Sequence, residues 1–293
     1  VCSCPVAFAA GFLALLRQGR EPVILPHAQP GLLGEAAGLT DGLVTDGLGD
    51  GFVGPIVTVP SDAEVADSSV PAAAGWATRL ALFTSGSTGA PQLIEKPLSC
   101  IEAELRTLEK TFGGTLERCT VLATVSHQHI YGLLFRVLWP LAAKRPLVDT
   151  TIGFPEDLHA QLESFGPAYL VTSPAFLKRT ARFLDRGRLI ESCRMVISSG
   201  AALPETLAAD LNRELGDRVV EGYGSTETGG VAWRIVRDAE DWGWTPFPGV
   251  TTEIVDELLR VRSPHLPDDG WFVTEDRAAA QANGTFRLLG RSD

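Results

Sequence analysis

Leu80-Ala81-Leu82-Phe83-Thr84-Ser85-Gly86-Ser87-Thr88-Gly89-Ala90-Pro91 is the stretch on which the fold turns, an apolar run of strand length opening directly into a loop of hydroxyls and glycines. Thr84 to Gly89 carries four hydroxyl side chains and two glycines in six residues. The amides and hydroxyls of such a loop can all turn toward one anion, as phosphate binding requires. It is not a Walker loop, because no Gly-Lys-Ser/Thr follows. Taken alone, a Ser/Gly-rich turn is as often a flexible connection.

On either side of this loop, short β-rich runs alternate with helical patterns, the signature of an α/β architecture with largely parallel sheets. Strands are predicted at Val23–Leu25, Ile56–Val59, Arg79–Phe83, Thr120–Val125, Tyr169–Thr172, Met195–Ser198 and Val219–Gly222. Ile101, Leu105, Leu108 and Phe112 recur at helical spacing after Pro97, and Pro174 and Pro204 each sit where a first helical turn tolerates proline. After Gly230 the pattern changes to short strands joined by turns, at Thr252–Val255, Leu258–Val261, Trp271–Val273 and Phe286–Leu289, with Asn283-Gly284 as a hairpin turn. This end is predicted to form a small antiparallel sheet or barrel. Pro60–Gly75, rich in Ala, Ser, Asp and Pro, reads as a surface connection.

The chain has 293 residues, 45% of them apolar, enough to bury a large core. Its formal charge of −11 argues against a protein that grips a nucleic acid polymer or an anionic membrane through its whole surface. A polyanionic ligand would need local donors and a metal ion. Cys2, Cys4, Cys100, Cys119 and Cys193 form neither a zinc spacing nor a disulfide framework, so they read as reduced thiols of a cytoplasmic protein. The apolar stretch Val6–Leu16 is too short to span a bilayer, and Arg17 and Arg20 follow it where a signal peptide has its charges in front. It is predicted to be a buried helix.

A second chemical signal is Glu221-Gly222-Tyr223-Gly224-Ser225-Thr226-Glu227-Thr228-Gly229-Gly230, at the end of another apolar strand. An aromatic ring offers a stacking surface for a base, while Thr226 and Glu227 offer a hydroxyl and a carboxylate for phosphate and Mg²⁺. A polar turn with one buried tyrosine has the same composition. The third is Thr274-Glu275-Asp276, followed after the hairpin by Gly290-Arg291-Ser292-Asp293. A carboxylate suits a pair of ribose hydroxyls and an arginine holds phosphate in a fork; a surface hairpin with an ordinary ion pair would look the same.

Together and in this order, the three resemble the ANL superfamily of acyl-CoA synthetases, nonribosomal peptide synthetase adenylation domains and luciferases, over Leu80 to Asp293. The resemblance implies an ANL-type N-terminal core, with two mainly parallel βα sheet subdomains and a small distorted antiparallel β-barrel. The expected division is 1–117 with the phosphate loop, 118–229 with the adenine and acyl site, and 230–293 ending at the hinge. The mobile C-terminal lid, with its lysine, is expected to be missing from this chain.

By the same resemblance, Thr84, Ser85, Gly86, Ser87, Thr88 and Gly89 hold the β- and γ-phosphates of ATP, Tyr223 stacks on adenine within Glu221-Gly222-Tyr223-Gly224, and Thr226 lies near the α-phosphate. Glu227 is the Mg²⁺ ligand, Asp276 the ribose ligand and Arg291 the basic residue beside ribose and phosphate. Ser199-Gly200-Ala201-Ala202 lines the adenine and acyl pockets, and His129 in Ser126-His127-Gln128-His129-Ile130-Tyr131-Gly132 gates the carboxylate site. Without the family, His127 and His129 read as half-buried polar residues at a helix start.

Two substitutions depart from the family pattern. Gln92 stands after Pro91 where lysine is usual, and Lys96, on the same side of a strand, has its backbone about 13 Å away. Glu275 replaces a common glycine, which matters if that backbone needs a positive φ.

The implied reaction is ATP-dependent adenylation of a carboxylic acid, with transfer to coenzyme A or an acyl carrier protein. Over Ala7–Leu25 and His129–Leu141 the chain looks like the AMP-ligases of bacterial aryl-polyene and xanthomonadin-type pigment pathways. That likeness implies an aromatic, hydroxybenzoate-like acid in a pocket of His129, Tyr131, Gly200, Gly230 and Trp233. The alternatives are a medium-chain fatty acyl-CoA ligase, a non-catalytic nucleotide-binding or carrier-docking module, and a phosphoryl transferase that would release ADP.

Overall fold

The computed structural model describes residues 1–60, 77–85, 91–238 and 243–292, with the side chains of Ser85 and Pro91 outside that description. The predicted connection Pro60–Gly75 and the loop tip Gly86–Ala90 therefore lie almost entirely outside the described residues. Contacts divide the chain into two units, Val1–Ser99 with Ser126–Leu133, and Cys100–Val125 with Leu134–Asp293.

In the first unit, helix Pro5–Arg17 buries Ala7, Phe8, Phe12 and Leu16, while Val6 and Leu13 on the same helix stay exposed. The helix is thus buried on one face rather than all round. Strands β1 (Val23–Ile24), β2 (Leu43–Thr45), β3 (Ile56–Thr58), β4 (Arg79–Ser85) and β5 (Pro91–Pro97) form two small sheets. β1 runs parallel to β4 and β2 to β3, whereas β5 returns antiparallel along β4. Leu25, Leu33, Ala36, Leu43 and Phe83 make the core of this unit.

The second unit holds a six-stranded sheet in the order β11-β10-β9-β8-β7-β6. Its strands are β6 (Thr120–Ala123), β7 (Ala168–Thr172), β8 (Cys193–Ser198), β9 (Val219–Ser225), β10 (Gly229–Arg234) and β11 (Thr245–Pro246). β6 to β9 are mutually parallel, and β10 and β11 are antiparallel additions. Every residue of β7 is buried, as a parallel strand covered on both faces requires. Ser173 caps helix Pro174–Thr180 by accepting a bond from the Phe176 amide, with Pro174 in the first turn. Pro204 falls one position earlier than predicted, as the N-cap of Glu205–Leu215. Helix Leu98–Phe112 buries Ile101, Leu108 and Phe112, with Glu104 and Thr107 beside them.

Strands β12 (Thr251–Val255), β13 (Leu258–Arg262), β14 (Phe272–Ala280) and β15 (Phe286–Arg291) form the predicted antiparallel sheet. Asn283-Gly284 turns β14 into β15, and an isolated bridge joins Trp244 to Phe286.

Glu109 on helix Leu98–Phe112 receives a two-pronged bond from buried Arg145, at 2.7 and 2.9 Å, and another from the Trp139 indole at 2.8 Å. The Arg145 guanidinium, helped by that indole, holds the Glu109 carboxyl below the usual carboxylate range. A lowered folded-state pKa gives stability that is full above the unfolded carboxylate value, near pH 4.3, and is lost as pH falls through the folded one. Glu109→Gln should therefore destabilise the protein at neutral pH and flatten the acid limb of its melting profile between about pH 3 and 6. Coincident profile shapes for variant and wild type would refute this.

Candidate functional site

In the first unit, the predicted phosphate loop begins at the end of β4. Thr84 pairs in register with Gln92, its hydroxyl donating to the Gln92 carbonyl at 3.4 Å. Gly86, Ser87, Thr88 and Gly89 lie outside the described residues. Lys96, on the Gln92 face of β5, is buried opposite Leu80. His127 is fully buried rather than half-buried, its Nε2 2.9 Å from the Cys2 carbonyl and its ring 4.8 Å from that of Phe8. That carbonyl can only accept, so Nε2 carries the proton. His129 is exposed as the N-cap of Ile130–Gly132, and Tyr131 is half-buried. The shelter around His129 lowers its pKa, and the charge of His27 pushes the same way.

In the second unit, Tyr223 and Asp276 come together from different sheets. The Tyr223 hydroxyl donates to Asp276 Oδ2 at 2.5 Å. Burial first, and then this bond, push the phenol well above its ordinary pKa. The half-buried ring packs at a tilt on Trp244, at 5.5 Å between centroids, and edge-on to Phe286 at 6.1 Å. Asp276 pairs in register with Arg291, whose guanidinium contacts Glu275. Glu275 lies in β14 where the pairing with β13 shifts register, yet it is not among the residues with positive φ, so its substitution for glycine imposes no left-handed backbone strain. Tyr223, Asp276 and Arg291, quoted above from separate motifs, are thus assembled in one place.

Thr226 and Glu227 lie half-buried in the turn between β9 and β10. Ser225 and Thr228 brace this turn reciprocally, each side-chain oxygen accepting from the other's amide at 3.0 and 3.2 Å. The turn requires glycine at 224, where a Cβ would lie 2.2 Å from the Gly229 carbonyl oxygen. Because that neighbour is backbone, Gly224→Ala should cost roughly 1–3 kcal/mol, with β9 and β10 pushed apart. Denaturant titration checks it; an unchanged midpoint would mean the hairpin has slack.

Glu221 is deeply buried and held by Arg234 Nε at 2.9 Å, so its side chain is committed to an internal ion pair. Arg234 in turn lies 4.5 Å over the Trp244 ring. At the end of β8, Gly200, Ala201 and Ala202 are exposed, and the Ser199 hydroxyl donates to the Gly222 carbonyl at 2.8 Å. Trp233 meets Phe112 edge-on at 5.6 Å, and Phe112 meets Phe247 at 6.0 Å. Gly230 sits against this group, a Cβ there falling 3.3 Å from the Phe247 ring. Trp244, Phe286, Arg234, Glu104 and His265 support the site without any motif having marked them.

Residues 12–269 match the family described as AMP-binding enzyme. The p-hydroxybenzoic acid–AMP ligase FadD22 of Mycobacterium tuberculosis is 29% identical over 275 residues, covering 79% of this chain and 36% of that protein. The 4-coumarate–CoA ligase of Rhodobacter capsulatus is 32% identical over 159 residues, covering 54% of this chain and 40% of that protein. The chain therefore spans well under half the length of these relatives. ATP-bound MatB from Rhodopseudomonas palustris superposes with a TM-score of 0.76 at 17% identity, over 99% of this chain and 72% of that one, which shows a shared fold. The family match extends through both units and takes in the β9–β10 hairpin, so the chain belongs to the AMP-binding enzyme family.

Proposed function

We propose that this chain is the nucleotide-binding core of an enzyme that joins a carboxylic acid to AMP and passes the acyl group to a thiol. The observation that carries this reading is the meeting of Tyr223, Asp276 and Arg291, a ring, a carboxylate and a cation suited to base, ribose and phosphate. In the reaction, a carboxylate oxygen bonds to the α-phosphorus of ATP while the bond to the β-phosphate breaks, releasing pyrophosphate. The work of the protein is to align these groups and stabilise the developing charge. Ser199–Ala202, Gly222 and Gly224 would line the nucleotide, Thr84 to Gly89 would hold its outer phosphates, and His129 would gate the acid.

Among the described residues no group of three or more His, Cys, Asp or Glu is gathered to hold a metal. A lone carboxylate beside a hydroxyl, as at Thr226-Glu227, fits Mg²⁺, which binds through one or two carboxylates and completes its shell with water and phosphate. When bound, Mg²⁺ would neutralise phosphate charge.

The division into 1–117, 118–229 and 230–293 is part of the proposal, as is a cytoplasmic setting, where ATP and reduced thiols coexist. Among the described residues no helix is long and apolar enough to cross a membrane. For the acid we favour a hydroxybenzoate-like aromatic, supported by the FadD22 relative and by the aromatic surroundings of Gly230, with an acyl carrier protein as acceptor and coenzyme A as the other thiol to test. ATP–pyrophosphate exchange on the full-length protein across an acid panel tests both levels. Exchange driven by hydroxybenzoates is the expected result; exchange driven by fatty acids alone removes the aromatic assignment, and silence with every acid removes adenylation.

A further inference from the structure

The antiparallel register of β9 and β10 shifts between Gly230 and Ala232, an irregularity of the kind that re-aims a strand beside a functional site. Both backbone polar groups of Gly230 are taken up by buried side chains from elsewhere in the second unit. Its amide donates to Glu104 Oε1 at 2.6 Å, and its carbonyl lies 2.9 Å from His265 Nδ1. A carbonyl only accepts, so Nδ1 carries the proton, and Nε2 lies at hydrogen-bond distance from the Thr107 hydroxyl, 3.1 Å. Glu104 and Thr107 are one helical turn apart on Leu98–Phe112, so one helix face holds Gly230 both directly and through His265.

The cost of this arrangement marks it as more than filler. Glu104 is 2% exposed, and among the described residues its Oε2 has no hydrogen-bond partner. Burying a carboxylate with one oxygen unsatisfied is unfavourable, and an apolar side chain would fill the space more cheaply. What the carboxylate supplies is a fixed position for the Gly230 amide. Gly229 fits beneath it at φ +67° because it lacks a Cβ, which would fall 2.6 Å from Oε2 and 2.9 Å from His265 Cβ.

We propose that Glu104 and His265 are positioning residues, a buried clamp on Gly230 that fixes the downstream end of the turn carrying Thr226 and Glu227. The proposal rests on the adenylation reading above for its catalytic consequence, and on the geometry alone for its structural one. Tyr223 lies across from Ala232, close to the clamp, but its ring is pinned separately through its hydroxyl by Asp276 on β14, so nucleotide affinity should survive loss of the clamp while the chemical step does not.

The test uses full-length protein with Glu104→Leu, Glu104→Gln, His265→Phe and the double variant Glu104→Leu/His265→Phe. Glutamine keeps an oxygen for the Gly230 amide and should stay within about threefold of wild type, whereas leucine should lower kcat for acid-dependent exchange by roughly 30-fold or more with KM for ATP within about threefold. The double variant should lose little beyond the worse single change, because both residues hold one peptide unit. Hydrogen exchange gives a readout that needs no substrate: in Glu104→Leu, amides of 226–232 should exchange at least about tenfold faster, with those of β7 and β8 unchanged. Unchanged exchange at 226–232 overturns the clamp, as does equal acceleration in β7 and β8. A wild type inactive with every acid, alongside the local exchange effect, overturns the adenylation reading and leaves the clamp standing.

Discussion

Asp276→Ala is expected to weaken ATP binding by roughly 100-fold. A hydrogen bond to a charged group contributes about 1.5–3 kcal/mol, and 1.4 kcal/mol is tenfold in affinity, so even one strong bond and one weak bond to a ribose diol reach that figure. The substitution also removes the acceptor of the Tyr223 hydroxyl, which frees a ring now pinned at 2.5 Å. Asp276→Asn separates the two effects, because its amide oxygen can still accept from Tyr223 while one face of the side chain becomes a donor. Both variants should lose affinity in a calorimetric titration with ATP, and the alanine variant should also lose thermal stability. ATP affinity within about threefold of wild type for both would take Asp276 out of the nucleotide site.

Glu221→Leu should act on stability and hardly at all through direct contact with nucleotide. It would leave Arg234, 7% exposed, without its best partner inside the protein. Breaking a buried pair by removing one member typically costs about 3–5 kcal/mol. Glu205, 3.5 Å from the same guanidinium, should hold the loss near the lower end of that range. Burial pushes the Glu221 carboxyl up and the Arg234 charge opposes it, so the pair is a compromise between desolvation and attraction. The double variant Glu221→Leu/Arg234→Met should recover much of the stability, since two apolar side chains replace two uncovered charges. Denaturant midpoints of the two singles and the double decide the matter; a double variant as unstable as the sum of the singles would mean the pair is not the cause.

The elements read most easily from the sequence are those whose pattern is local. Apolar runs such as Leu80–Phe83 and Met195–Ser198 became strands, and Asn283-Gly284 became the turn between β14 and β15. β5 and β10 escaped because Gln92, Glu95, Lys96 and the pair Gly229-Gly230 dilute the apolar alternation, and β2, Leu43–Thr45, escaped because three residues are too few to show a period. The site divides in the same way. Tyr223, Asp276 and Arg291 announce themselves through short motifs, whereas Trp244, Arg234, Glu104 and His265 belong to stretches that are unremarkable by themselves. Their roles exist only as contacts across long sequence separations, and a single chain of letters holds no signal for a buried glutamate reaching a distant amide. Glu275 shows the reverse case: the letter suggested left-handed strain, and the backbone of β14 supplies none there.

The indole of Trp244 packs against both the Tyr223 phenol and the Arg234 guanidinium. Its excited state is therefore sensitive to any change in the charge or stacking of its neighbours, which makes the molecule its own optical probe. A purine settling on Tyr223 should alter emission from this indole, and subtracting the titration of Trp244→Phe from that of wild type removes the background of the remaining tryptophans. Ligand occupancy could then be followed in solution without a label or a turnover assay.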